Sequence, residues 1–281
     1  MAINFSSKNV YIRILTCLLF SSAVFSQRIE TNFNNNWNFI LEDNPSFSKE
    51  NVEDNSWQNL NVPHDWSFEK GVRKGGDQGQ GGGYHDGGIG WYRKYFNIKK
   101  ESLSKITYIN FDGVYMNSEV WINGNYLAKR PYGYISFRYD ISKYLKEGKN
   151  TIAVRVDNSL EPSARWYHPC GIYAPVKLIE VNKTHIQPNS IFIKTPSITK
   201  NKATVLVDAA INGEIKKLKY EVKIFSPEGK ELANNCEKLD ASNPSYQFEV
   251  KNPKLWSPEN PTLYKAVTQI LKGKTVIDEI E

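Results

Sequence analysis

The sequence predicts an all-β fold in two modules, and three observations carry that expectation. Short alternating or aromatic runs follow one another along the chain, and no long stretch keeps a helical period. Aromatic residues reach 13%, with 16 Tyr, 13 Phe and 7 Trp, a bias that suits pleated sheets. The runs fall into two sets separated by a turn-rich stretch from Asn182 to Pro188. The chain has 281 residues, 40% hydrophobic and 23% charged, enough for two packed domains and too apolar for global disorder.

In chain order the first set is expected at Trp37–Leu41, Gln58–Val62, Trp91–Ile98, Lys105–Phe111, Ser118–Ile122, Asn125–Lys129, Ile135–Tyr139, Thr151–Val156 and Val176–Val181. Pro63 stops the second run. Asn123-Gly124 is the strongest hairpin signal, because both residues tolerate positive φ. Asp140 is expected to cap one short helical turn. The second set is expected at Ile191–Lys194, Ala203–Ala210, Leu218–Phe225, Lys230–Leu232, Tyr246–Val250, Thr262–Leu271 and Thr275–Glu281. Seven short strands in under a hundred residues suggest an immunoglobulin-like sandwich. The last of them is still running where the sequence stops.

The first 26 residues read as an export signal. Lys8 and Arg13 form a basic region, Ile14 to Phe25 an apolar one, and Val24 and Ser26 are small enough for cleavage before Gln27. The apolar run is too short to span a membrane, and no Cys stands at the cleavage point to carry a lipid. A secreted or periplasmic protein is therefore expected, with no membrane association after signal removal. The formal charge is +6, and losing Lys8 and Arg13 leaves +4, too mild and scattered for nucleic acid. Cys17 leaves with the signal, so only Cys170 and Cys236 remain, in different modules, and no disulfide framework is expected.

The Gly-rich segment 71–90 has no hydrophobic period and reads as a loop over the rim of a site. It has no Gly-Lys-Ser/Thr, no dinucleotide spacing and no helix behind it, so phosphate and nucleotide cofactors are not expected. Asp77 and Asp86 match no calcium spacing, and His64, His85, His168 and His185 are too scattered for zinc, so no metal is expected. No carboxylate pair is singled out as acid and base, and no Gly-x-Ser-x-Gly elbow exists. Two segments concentrate aromatics beside hydrogen-bonding groups: Val62 to Phe68 and Arg165 to Tyr173. Rings for the apolar face of a sugar and polar groups for its hydroxyls have this composition. Tryptophans plugging the ends of a sandwich have it too, and composition does not separate the readings for Trp66 and Trp166.

Several long motifs resemble a known family: VPHDWSFE (62–69), GGGYHDGGIGWYRKYF (81–96), FDGVYMNSEVWINGNYLAKRPYGYISFRYDIS (111–142), NTIAVRVDNS (150–159) and RWYHPCGIYAPVKL (165–178). They look like the N-terminal domain of glycoside hydrolase family 2, and most of all like β-galactosidases from Bacteroides-like bacteria. LWSPENPTLY (255–264) resembles the family's second, immunoglobulin-like domain. The resemblance implies a signal at 1–26, a galactose-binding-like jelly-roll sandwich at 27–184 and the immunoglobulin-like β-sandwich at 185–281. It also implies a TIM barrel holding both catalytic glutamates of a retaining mechanism, and the sequence stops before such a barrel. No catalytic residue is therefore expected in this chain.

In the family, loop residues of the first domain reach the barrel's sugar site. The resemblance puts Arg165, Trp166 and Tyr167 on such a loop. Asp65, in the other aromatic segment, is a further candidate polar partner for a sugar. Relatives often read Ser-Gly-Ser where this chain has His168-Pro169-Cys170, and Arg where it has Ala174-Pro175. The expected partner is a β-galactoside-type carbohydrate, together with a catalytic barrel or a partner chain. Three roles follow: the accessory half of a secreted β-galactosidase-like hydrolase, a stand-alone carbohydrate-binding module, or a structural scaffold.

Overall fold

A computed structural model describes residues 28–160 and 165–281. The expected export signal lies outside the described residues. The first module contains β1 (Ile29–Asn32), β2 (Trp37–Ile40), β3 (Gln58–Leu60), the helix α1 (Trp66–Lys70), β4 (Gly88–Ile98), β5 (Ile106–Phe111), β6 (Ser118–Ile122), β7 (Asn125–Arg130), β8 (Phe137–Asp140), β9 (Gly148–Asn158) and β10 (Val176–Val181). They form a six-stranded sheet, β3-β2-β4-β9-β6-β7, packed on a four-stranded sheet, β1-β10-β5-β8. Neighbours in both sheets are antiparallel. Between the sheets lie Trp37, Phe39, Tyr92, Val120, Val154, Ile109, Phe111, Phe137 and Val176, all buried. Burying rings and branched side chains of this size supplies about 1.5–3 kcal/mol each.

Three expectations about this module are corrected. β4 begins at Gly88, inside the segment expected to be wholly loop. Its first residues pair with Asp157 and Asn158 at the end of β9, so the partner strand, and no local pattern, sets the boundary. The stretch after Asp65 forms α1, where no helix was expected. Five residues are too few to show a period, and the helix is defined by its ends: Asp65 caps it and Gly71, at φ 72°, closes it. β1 also lacks a sequence signal, because all four of its residues are exposed and it forms an edge beside β10. Asn123-Gly124 makes the expected hairpin, with φ 49° and 78°. Asp140 accepts from Ser142 N at 2.9 Å just ahead of a short 3-10 turn (Ser142–Tyr144), but the turn's N-cap is Ile141 and no side chain caps it.

The second module contains β11 (His185–Ile186), β12 (Phe192–Ile198), β13 (Lys202–Asp208), β14 (Ile211–Asn212), β15 (Leu218–Phe225), β16 (Glu231–Lys238), β17 (Ser245–Lys251), β18 (Lys265–Lys272) and β19 (Thr275–Ile280). Sheets β12-β13-β17 and β16-β15-β18-β19 enclose Val207, Tyr220, Val222, Ile224, Phe248, Val250 and Ile270. β17 alternates exposed and buried along its whole length, the mark of a strand with one wet face. β11 and β14, unforeseen in the sequence, pair with each other. No ladder among the described residues joins strands before Val181 to strands after His185.

The modules meet through a small polar core. Asp278 is buried, and its Oδ2 accepts from Ile186 N at 2.7 Å and from Arg28 Nη2 at 3.1 Å. Arg28 Nη2 also donates to Ile186 O at 2.8 Å. Asn182 Nδ2 donates to Ile277 O at 2.7 Å. Cys170 is buried and Cys236 exposed, and both are free.

Candidate carbohydrate-binding surface

At one end of the first sandwich a rim is assembled around the carboxylate of Asp65. Its Oδ1 caps α1, accepting from Ser67 N at 3.0 Å, Phe68 N at 3.2 Å and Ser67 Oγ at 2.7 Å. The same oxygen accepts from Cys170 N at 3.0 Å, and Oδ2 accepts from the Tyr167 hydroxyl. Backbone pairing extends the junction. His64 N donates to Ile172 O at 2.8 Å, Trp66 N to Cys170 O at 3.1 Å, and Tyr115 and Gly171 exchange two bonds of 3.0 Å. Gly171 sits at φ 126°, where a Cβ would lie 2.2 Å from Tyr92 Oη, so only glycine lets the chain pass.

The four residues expected at a sugar surface are thus gathered, with different roles. Asp65 is fully engaged as an acceptor and shapes the rim. Tyr167 is 42% exposed, its ring 4.7 Å from that of His85. Trp166 is 63% exposed, and Arg165 is exposed beside it. Trp66, in contrast, is 2% exposed, stacks on Phe39 at 5.8 Å and donates Nε1–H to Gly87 O at 3.1 Å. The structure separates the two tryptophans: Trp66 plugs the sandwich and Trp166 faces solvent.

A second aromatic group was missed in the sequence. Tyr115 stacks on His168 at 4.7 Å and meets Tyr134 edge-on at 5.0 Å, and Tyr134 meets Tyr132 at 5.8 Å. Tyr132 and Tyr134 are exposed, so the rim carries them on the side of His168. The Tyr173 hydroxyl donates to Gly133 O at 2.9 Å and ties their loop to the segment after Cys170. The available signal was a Tyr-Gly-Tyr triplet between two strand runs.

Chemically the rim offers rings and hydrogen-bonding groups. Burial pushes the Cys170 thiol up to about 11, so it stays protonated at neutral pH. Asp86, considered as a calcium ligand with Asp77, accepts from Arg73 Nε at 2.7 Å, and that contact holds its carboxyl below the usual range. Arg73 also pairs with Asp77 at 3.6 Å, so one guanidinium occupies both carboxylates. These bonds, and glycines whose Cβ would strike backbone (Gly76 on Tyr84 O at 2.0 Å), build segment 72–87 as a wall that sets His85 against Tyr167.

Residues 83–182 match the sugar binding domain of glycosyl hydrolases family 2, and residues 184–281 match a further model of the same family. The chain belongs to glycosyl hydrolases family 2. Its two modules align with part of relatives that are named as β-glucuronidases and β-galactosidases. It is 76% identical over 254 residues to a putative β-glucuronidase of Formosa agariphila, covering 90% of this chain and 25% of that protein. It is 39% identical over 269 residues to a β-galactosidase of Bacteroides ovatus, covering 92% of this chain and 31% of that one. The crystal structure of a β-glycosidase from Bacteroides vulgatus superposes with a TM-score of 0.84 at 39% identity, covering 90% of this chain and 33% of that one. The family 2 chain thus spans a quarter to a third of these relatives.

Proposed function

We propose that this chain is the accessory, sugar-positioning part of an exported family 2 glycoside hydrolase acting on β-galactosides or related β-glycosides. The single observation that carries the reading is the loop at Arg165–Cys170, pinned by Asp65 so that Trp166 and Tyr167 face outward. A rigid exposed ring is what a pyranose face packs against. Arg165 supplies hydrogen-bond donors to hydroxyls, and Asp65 sets the loop. The basic and apolar leader at 1–26 supports export to a secreted or periplasmic location.

A rim encloses only one side of a ligand, so affinity for a simple sugar is expected in the millimolar range, on the order of −4 kcal/mol. Saturation-transfer NMR with methyl β-D-galactoside, which carries no carboxylate, tests this. Transfer from the protein to the sugar ring is expected, and Trp166→Ala is expected to remove it while leaving the fold intact. Unchanged transfer in that variant overturns the proposed site. The purified 281-residue chain is expected to give no turnover of a chromogenic β-galactoside. Turnover abolished by Asp65→Asn would overturn the accessory role.

A further inference from the structure

The outer face of the four-stranded sheet is overhung by the second module. Pro188, Asn189 and Ile191, with Ile280 at the end of β19, leave a groove of about 280 Å³ above it. Strand register sets Arg138, Asn110 and Lys177 side by side across β8, β5 and β10. Glu30, Asp112 and Arg28 complete its polar lining.

Two buried atoms of opposite hydrogen-bonding type on this lining have no partner: Asn110 Oδ1, an acceptor, and Arg28 Nε, a donor. The orientation of the amide is fixed. Asn110 Nδ2 donates to Asp112 Oδ1 at 2.8 Å, and a carboxylate can only accept, so the carbonyl oxygen is the atom left over. Asn110 is 5% exposed, which makes an unmet acceptor there costly. Arg138 makes no ion pair among the described residues. Burial, and then the nearby Arg28 charge, pushes its guanidinium below the usual range. Arg28 already pairs with Asp278 and Lys177 with Glu30, at 3.1 and 3.6 Å, so Arg138 is the cation of the groove that a bound anion would pair.

We propose that this groove binds an acidic monosaccharide unit, a hydroxylated ring carrying one carboxylate, at the junction of the two modules. The carboxylate accepts from Arg138 and Arg28 Nε. A ring hydroxyl donates to Asn110 Oδ1, and the carboxylates of Glu30 and Asp112 accept from the others. Three cations alone would make a general anion site. The interleaved acceptors match hydroxyls instead. At about 280 Å³ the groove lies just under the usual small-molecule range of about 300–1,000 Å³, room for no more than one ring. None of its lining residues belongs to the rim at Trp166.

The test is titration of the full ¹⁵N-labelled chain with sodium D-glucuronate, against D-glucose (ring without charge) and sodium acetate (charge without ring). Saturable shifts of the Arg138 Nε–H and Asn110 side-chain amide signals are expected. Affinity for glucuronate should exceed that for either control by about tenfold or more. Arg138→Gln should weaken glucuronate about tenfold, and Trp166→Ala should leave it unchanged. If Arg138→Gln does not fold, Lys177→Gln removes the neighbouring cation of the same row and should weaken binding several-fold. An equal response to acetate or glucose, insensitivity to the folded groove variants, or loss in Trp166→Ala overturns the proposal.

Discussion

Asp65 organises more of the rim than any other side chain. One oxygen serves both a helix cap and the Cys170 amide, and the other holds Tyr167. Losing a cap costs about 0.5–2 kcal/mol and orphaning a buried donor about 1–3. Asp65→Ala is therefore expected to cost about 2–4 kcal/mol in urea denaturation and to broaden the amide signals of residues 166–170. Trp166→Ala, which removes only an exposed ring, is expected to stay within about 0.5 kcal/mol. The sequence offered Asp65 and Tyr167 together as candidates for one surface, Tyr167 through a family resemblance and Asp65 as a polar group among aromatics. It could not tell Trp66 from Trp166, because both stand among aromatic and polar neighbours just outside strands. What divides them is which ring the Gly87 carbonyl and Phe39 receive, a contact made across strands.

Among the elements, β4 shows why alternation was a poor guide in the first module. It is buried on both faces: Tyr92 packs between the sheets, and Trp91 packs outside with Trp57, Ala153 and Phe47. The outer cover is fastened by Arg93, fully buried, which donates to Asp54 Oδ2 at 3.1 Å and to the carbonyls of Phe47, Lys49 and Glu50. Removing the counter-charge leaves a buried cation, so Asp54→Ala is expected to cost about 3–5 kcal/mol, read as a lowered denaturation midpoint. One-face strands such as β17 were legible, while β1, β11 and β14 were not, being too short or too exposed to carry a pattern. Elements also bury three histidines, His64, His168 and His185, and burial pushes each below its usual 6.5. The unfolded chain then binds protons that the folded chain refuses. Their contribution is fully present above pH 6.5 and is lost as pH falls through the lowered values. Calorimetry is expected to show a flat melting temperature above about pH 7 and a decline on acidification that begins well before carboxylates titrate.

For the whole molecule, the two modules were legible as two strand sets, but their junction was not. Arg28 and Asp278 stand 250 positions apart, and nothing local marks either as a partner. The joint is held by side-chain hydrogen bonds. Asp278 holds Arg28 and the Ile186 amide, and His185 receives the Tyr108 hydroxyl at 3.1 Å. Asp278→Ala leaves a guanidinium and an amide buried without their acceptor, so about 3–5 kcal/mol is expected to be lost. The parent chain is expected to unfold in one calorimetric transition and the variant in two, with new proteolytic cuts between Val181 and His185. A single transition in both would mean that Asp278 is not what couples the modules.

The Asp65 carboxylate and the Cys170 amide it grips are 105 residues apart. A ribosome adding about 5–20 residues per second makes Cys170 roughly 5–20 s after Asp65. Through that interval the first half of the nascent sandwich holds Trp66 and Tyr92 without the segment that closes over them. The rim and then β10 are the last parts of the module to be made, and until they emerge the growing chain exposes hydrophobic surface that the finished sandwich covers.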